Sequence, residues 1–209
     1  MIQKCCVFQF KTVHFCTFFV ILQTDYNKTM NSNKNIEDVA MYVGLSLLSK
    51  GLSVSPLKLQ KILYYVQCWY MVFFGRGNTL FAVKPQAWVN GPVYPVIYNK
   101  YRSKVQGMCD HLQVTDFSDK PLKIAVEDIV NKLSLDIEEI KCIDSIITLY
   151  GSRSQNQLIL MTHSELPWIE ARGDLLPYQY SQKELSLDTM YSYYKQRREN
   201  RLKSNGLSS

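Results

Sequence analysis

SVSPLKLQKILYYVQCWYMVFFG, residues 53–75, is the stretch on which the fold turns. Ser55 is placed to cap a helix N-terminus, Pro56 suits the first helical position, and Gly75 can end the run. Leu59, Ile62, Leu63, Val66, Trp69, Tyr70 and Phe73 recur at helical spacing and make one apolar stripe. Lys58, Lys61 and Gln67 fall elsewhere on the cylinder, while Tyr64, Tyr65 and Phe74 extend the apolar surface beyond the stripe. A helix of this kind lies at the centre of a fold or presents aromatic surface to a partner.

Upstream, Ile36, Val39, Ala40, Val43, Leu47 and Leu48 keep the same period, with Asn35 as N-cap and Gly51 as the stop. Gly44 interrupts that helix at a cost of about 1 kcal/mol relative to Ala. Downstream, residues 80–93 mix aromatic and β-branched residues with Pro85 and Pro92, which favours short strands up to Val93. Pro95 then opens a short helix, and residues 103–120 are polar and read as loop.

Helical periodicity returns over 124–133. It is stronger from Asp136 to Tyr150, where Asp136 and Glu139 have capping-box spacing and Ile137, Ile140, Ile143 and Ile147 form the expected buried side. Further helices are expected from Ser154 to Met161, from a turn at Pro167-Trp168, and from Leu187 to about Arg201. The fold class is mainly α: a single compact helical domain with a short β-hairpin or strand pair inserted after the second helix.

With 209 residues, 46% hydrophobic and 20% charged, the chain suffices for one good core. Its net charge of +6 is confined to the ends. Residues 1–30 carry Lys4, Lys11 and Lys28 against Asp25. Residues 195–209 carry Lys195, Arg197, Arg198, Arg201 and Lys203 against Glu199. The interval 31–194 is neutral, which is no footprint for a polyanion.

The organisation expected is therefore a terminal extension over 1–30, a folded domain over 31–194 and a basic tail over 195–209. The apolar run Phe15–Leu22 is too short for a membrane span of about 20 residues. The abrupt change to polar sequence at Met30 suggests a translation start there. Six cysteines without a C-x-x-C pair, in a chain of this size, fit reduced thiols and a cytoplasmic location.

No phosphate-loop, dinucleotide, zinc-peptidase or nucleophile-elbow string occurs. His163-Ser164-Glu165 groups a base, a hydroxyl and an acid, but neighbours in sequence seldom face one another. Ser164 reads instead as a cap before Pro167. Glu138 and Glu139 diverge by about 100 degrees around a helix and read as solvated. The reading is that of a non-enzyme with no catalytic residue, metal or cofactor. Base stacking on Tyr64, Tyr65, Trp69, Tyr70, Phe73 and Phe74 would need interleaved cations, and only Lys58, Lys61 and Arg76 lie near.

Three strings, SPLKLQKILYYVQCWY (55–70), AWVNGPVYPVIYNKY (87–101) and MTHSELPWIEAR (161–172), occur in the order and approximate spacing of the Panacea, or SocA-like antitoxin, domain. The chain resembles that family over about residues 36–194. The matching positions are Leu59, Gln60, Lys61, Leu63, Tyr64 and Trp69; Trp88, Gly91, Pro92 and Val93; and His163, Pro167 and Trp168. Chemically these read mostly as builders of the domain: a large buried face at Trp88, an unusual backbone at Gly91, a fixed dihedral at Pro92.

The resemblance implies a mainly helical, often phage-associated antitoxin of a type II toxin–antitoxin system. It implies neutralisation of a cognate protein toxin, encoded by an adjacent gene, by direct contact; one route it allows is that of a proteolytic adaptor for a ClpXP-type protease. The competing reading is a phage-associated nucleic-acid-binding regulator acting through the basic tail with Tyr191, Tyr193 and Tyr194.

Overall fold

The computed structural model describes residues 33–204. The expected extension over 1–30 and the end of the basic tail, 205–209, lie outside the described residues. Asn35 caps the first helix, α1 (Ile36–Ser49), with its side chain accepting from the backbone N–H groups of Glu37 and Asp38. Ser55 accepts from Lys58 N–H at 3.2 Å, and Pro56 opens α2 (Pro56–Phe74). The hairpin follows as β1 (Gln86–Trp88) and β2 (Gly91–Val93), antiparallel, pairing Gln86 with Val93 and Trp88 with Gly91. Then come α3 (Pro95–Arg102), α4 (Val114–Phe117), α5 (Leu122–Leu133), α6 (Ile137–Tyr150), α7 (Gln155–His163), α8 (Leu166–Arg172) and α9 (Leu187–Ser204). The fold is mainly helical with a two-stranded antiparallel sheet after the second helix, as the sequence pattern indicates.

Of the two positions open to α2, the structure takes the central one. Every residue of α2 except Phe73 is buried, and the helix packs against α1, α3, α6, α7, α9 and β2. Tyr64, Tyr65 and Phe74 are thus core, not a partner surface, and stacked bases have no access to them. Lys58, Lys61 and Gln67, which the periodicity sets apart from the stripe, are buried too.

Burying polar groups is tolerated when each meets a partner. Gln60 Oε1 accepts from Tyr94 N–H at 2.8 Å, Lys61 Nζ donates to Pro92 O at 2.9 Å, and Gln67 donates to Phe81 O and accepts from Leu80 N–H. These α2 side chains supply the hydrogen bonds that residues 80–94, mostly outside regular structure, cannot make among themselves.

Three local expectations change. The 103–120 segment contains α4, whose Phe117 is buried against α1. A Cβ at Gly44 would lie 2.3 Å from the Phe117 ring, so the glycine that interrupts α1 is the seat of that ring. On α6 the buried side is Glu139, Cys142, Ile143, Ile146, Ile147 and Tyr150, while Ile137 is 66% exposed. Glu139, read as solvated, is buried: it completes the capping box with Asp136 and accepts from Tyr70 Oη at 2.8 Å. Cys68, Cys109 and Cys142 are free thiols. Among the described residues, no helix is long and apolar enough to cross a membrane.

Candidate functional site

The short link from His163 to Glu165, between α7 and α8, separates two polar clusters. The first forms where the hairpin settles on α2. Gly91 has φ +92°, and a Cβ there would meet Thr162 Oγ1 at 2.6 Å and the Lys61 side chain at 2.9 Å. Only glycine allows both the conformation and the approach. Lys61 is fully buried with one carbonyl acceptor, and burial pulls its ammonium down to about 7. His163 is hydrogen-bonded to the Val89 backbone, its Nε2 has no partner among the described residues, and burial first, then Lys61, lowers its pKa. A neutral imidazole beside a poorly solvated ammonium is the expected state.

Aromatic and cationic groups close the outer side of this cluster. The Trp168 indole donates to Trp88 O at 3.0 Å, and the His163 ring stacks on Trp168 with centroids 4.1 Å apart. Trp88, expected to supply a buried face, is only half-buried, because its ring lies between Tyr98 and the half-exposed Tyr180 rather than in the core. Arg172 is 3% exposed, its guanidinium 5.3 Å from the Trp168 ring. It donates to Ala87 O on β1 and to Leu176 O and Gln179 O in the loop after α8. Sequence reasoning passed over Arg172, although it ends the MTHSELPWIEAR string and a cation in the last turn of a short helix suits the free carbonyls nearby.

The second cluster surrounds Glu165, which is 1% exposed. Its carboxylate accepts from Tyr65 Oη at 3.3 Å, Tyr194 Oη at 2.7 Å and Arg197 Nη1 at 3.2 Å. Burial raises its pKa, and these donors only partly counter that. Tyr65 stacks on Tyr150 with centroids 3.9 Å apart, Trp69 donates to Tyr150 Oη, and Tyr194 meets Tyr64, Tyr65 and Trp69 edge-on. Arg197, in the basic terminal segment, thus ties α9 to the core.

His163, Ser164 and Glu165 are not brought together. His163 faces the hairpin, Glu165 faces α2 and α9, and Ser164 closes α7 by donating to Met161 O, so it does not cap α8. Pro167 is buried in the first turn of α8; Leu59, Leu63, Tyr64, Trp69, Pro92 and Val93 are core. The family-motif positions therefore anchor the hairpin and α8 to α2.

What they carry to the surface is apolar. Of the ten large hydrophobic side chains exposed among the described residues, six lie between 160 and 180: Leu160, Leu166, Ile169, Leu176, Tyr178 and Tyr180. They sit on α7, on α8 and on the loop that Arg172 holds. Exposed large hydrophobic side chains are thus concentrated on that framework.

The model of the family described as antitoxin SocA-like, Panacea domain, matches residues 59–169, more than half of the chain. The chain belongs to that family. No curated protein and no solved structure matches it.

Proposed function

We propose that this protein is the antitoxin of a type II toxin–antitoxin pair, working in the cytoplasm by holding a cognate protein toxin without turning over any substrate. The observation that carries the reading is the set of exposed side chains on α7, α8 and the following loop, mounted directly on the motif residues of an antitoxin family. Partners grip such surfaces through a few large apolar side chains, and an ordinary interface buries about 1,600 Å² in total. The aromatic ridge of α2 cannot serve, since it is core.

Tyr194, which a nucleic-acid contact by the tail would need, is fully buried, and Arg197 is engaged with Glu165. These observations favour the protein-binding reading over a nucleic-acid one.

Co-expression with the product of the adjacent gene tests the proposal. The neighbour alone is expected to arrest growth and this chain to restore it, while a Leu160→Asp, Ile169→Asp double variant fails to restore it at unchanged thermal stability. Both positions are exposed, so the substitutions should move stability by no more than about 0.5 kcal/mol each. A harmless neighbour, or arrest that persists beside the wild-type chain, defeats the reading. Following toxin abundance during rescue separates capture, in which the toxin persists, from delivery to a ClpXP-type protease, in which it disappears.

A further inference from the structure

A cleft of about 630 Å³ opens between the α1–α2 connection, the α6–α7 connection and residues Cys109 and His111. Lys58, His111 and Arg153 line it together with serines and the start of α7, and among the described residues no acidic side chain does. Lys58 is the anomaly. It is only 6% exposed, and among the described residues its ammonium has neither a hydrogen-bond nor an ion-pair partner. It also sits in the first turn of α2, where the helix dipole disfavours positive charge. Burial and dipole both oppose this cation, and no group among the described residues offsets them.

An anion in the cleft would relieve both. The remaining lining suits one: Arg153 on the rim, and the N-terminus of the nine-residue α7, whose Ser154 takes the Gln157 N–H and leaves that of Gln155 for a ligand. Two cations, an imidazole and several donors exceed what a carboxylate's two oxygens can use, and a tetrahedral phosphate offers more acceptors. The volume is larger than free phosphate needs and lies in the range of small-molecule pockets. We propose that this cleft is a binding site for a phosphate-bearing small molecule, with Lys58 and Arg153 as its charged ligands. The inference stands on the cleft alone and does not depend on the antitoxin reading.

Titration calorimetry on the full chain at constant ionic strength, with inorganic phosphate and AMP as probes and acetate and chloride as controls, tests it. Saturable phosphate or AMP binding is expected, weakened roughly 10- to 100-fold in Lys58→Met and in Arg153→Gln. Lys58→Met keeps the aliphatic stem, and Arg153→Gln changes an exposed side chain, so at least one variant reports on a folded protein. Tighter binding of AMP than of phosphate identifies a phosphorylated metabolite as the source. Equal binding of the two identifies free phosphate. No saturable binding, acetate binding as tightly as phosphate, or variants that bind like wild type would overturn the site.

Discussion

Lys61 and Glu165 are both buried charges, and the chain treats them differently. Lys61 has three protons to donate and one carbonyl to receive them; Glu165 has two tyrosine hydroxyls and a guanidinium. The lysine is held by steric enclosure beneath the hairpin, the glutamate by a network that joins α2, α8 and α9. One site should therefore be sensitive to space and the other to partners, and their pH responses should have opposite signs.

The largest effect is expected from space. In Gly91→Ala, the new Cβ meets Thr162 Oγ1 at 2.6 Å and Lys61 at 2.9 Å, in a backbone region hostile to L side chains. Strain at such a φ and overpacking each cost about 1–3 kcal/mol, so a loss of about 4 kcal/mol is expected by urea denaturation. A loss below 1 kcal/mol would mean that the hairpin does not rest on Lys61 as described.

Partners come next. Arg197→Met removes the cation facing Glu165 but leaves both tyrosine hydroxyls, for an expected loss of about 2 kcal/mol at neutral pH. The pH dependence sharpens the test. With its folded pKa above the ordinary 4.5, Glu165 makes the folded chain bind more protons than the unfolded one, so it lowers stability as pH rises from about 4.5 through that folded value. Without Arg197 the carboxylate is harder still to ionise. The variant's deficit should be larger at pH 7 than at pH 4.5, and an equal deficit at both would mean that Arg197 acts only by packing.

How far these sites could be read in advance follows from what sequence patterns encode. Caps at Asn35, Ser55 and Asp136 and proline starts at Pro56 and Pro95 are local chemistry, and they appear where the pattern places them. Periodicity also marks α2, but it assigns a helix only one inner face. Once α2 is enclosed on all sides, Lys61 and Gln67 lie inside for the sake of loop carbonyls and amides far along the chain, which no spacing rule contains. Glu165 was hidden for the same reason: its partners on α2 and α9 are 100 and 29–32 residues away. Gly44 looked like a defect of α1 because Phe117, which fills its place, lies in a segment that reads as loop.

The smallest change in stability, and the cleanest sign, belongs to Lys61→Met. Methionine fills similar space and removes the buried charge, at the expense of the bond to Pro92 O, so stability at pH 7 should stay within about 1 kcal/mol of wild type. In wild type, folded Lys61 releases its proton near pH 7, while the unfolded side chain keeps it to about 10.5. Between those values the unfolded chain binds more protons, so wild-type stability rises with pH.

His163, lowered from 6.5, acts with the same sign but below that window. The difference between wild type and Lys61→Met, followed by denaturation from pH 7 to 9.5, therefore isolates the lysine. Wild type should gain on the variant across that range. Parallel curves would place a stable ammonium under the hairpin, and the contrast between an enclosed lysine and a well-partnered glutamate would fail at its first member.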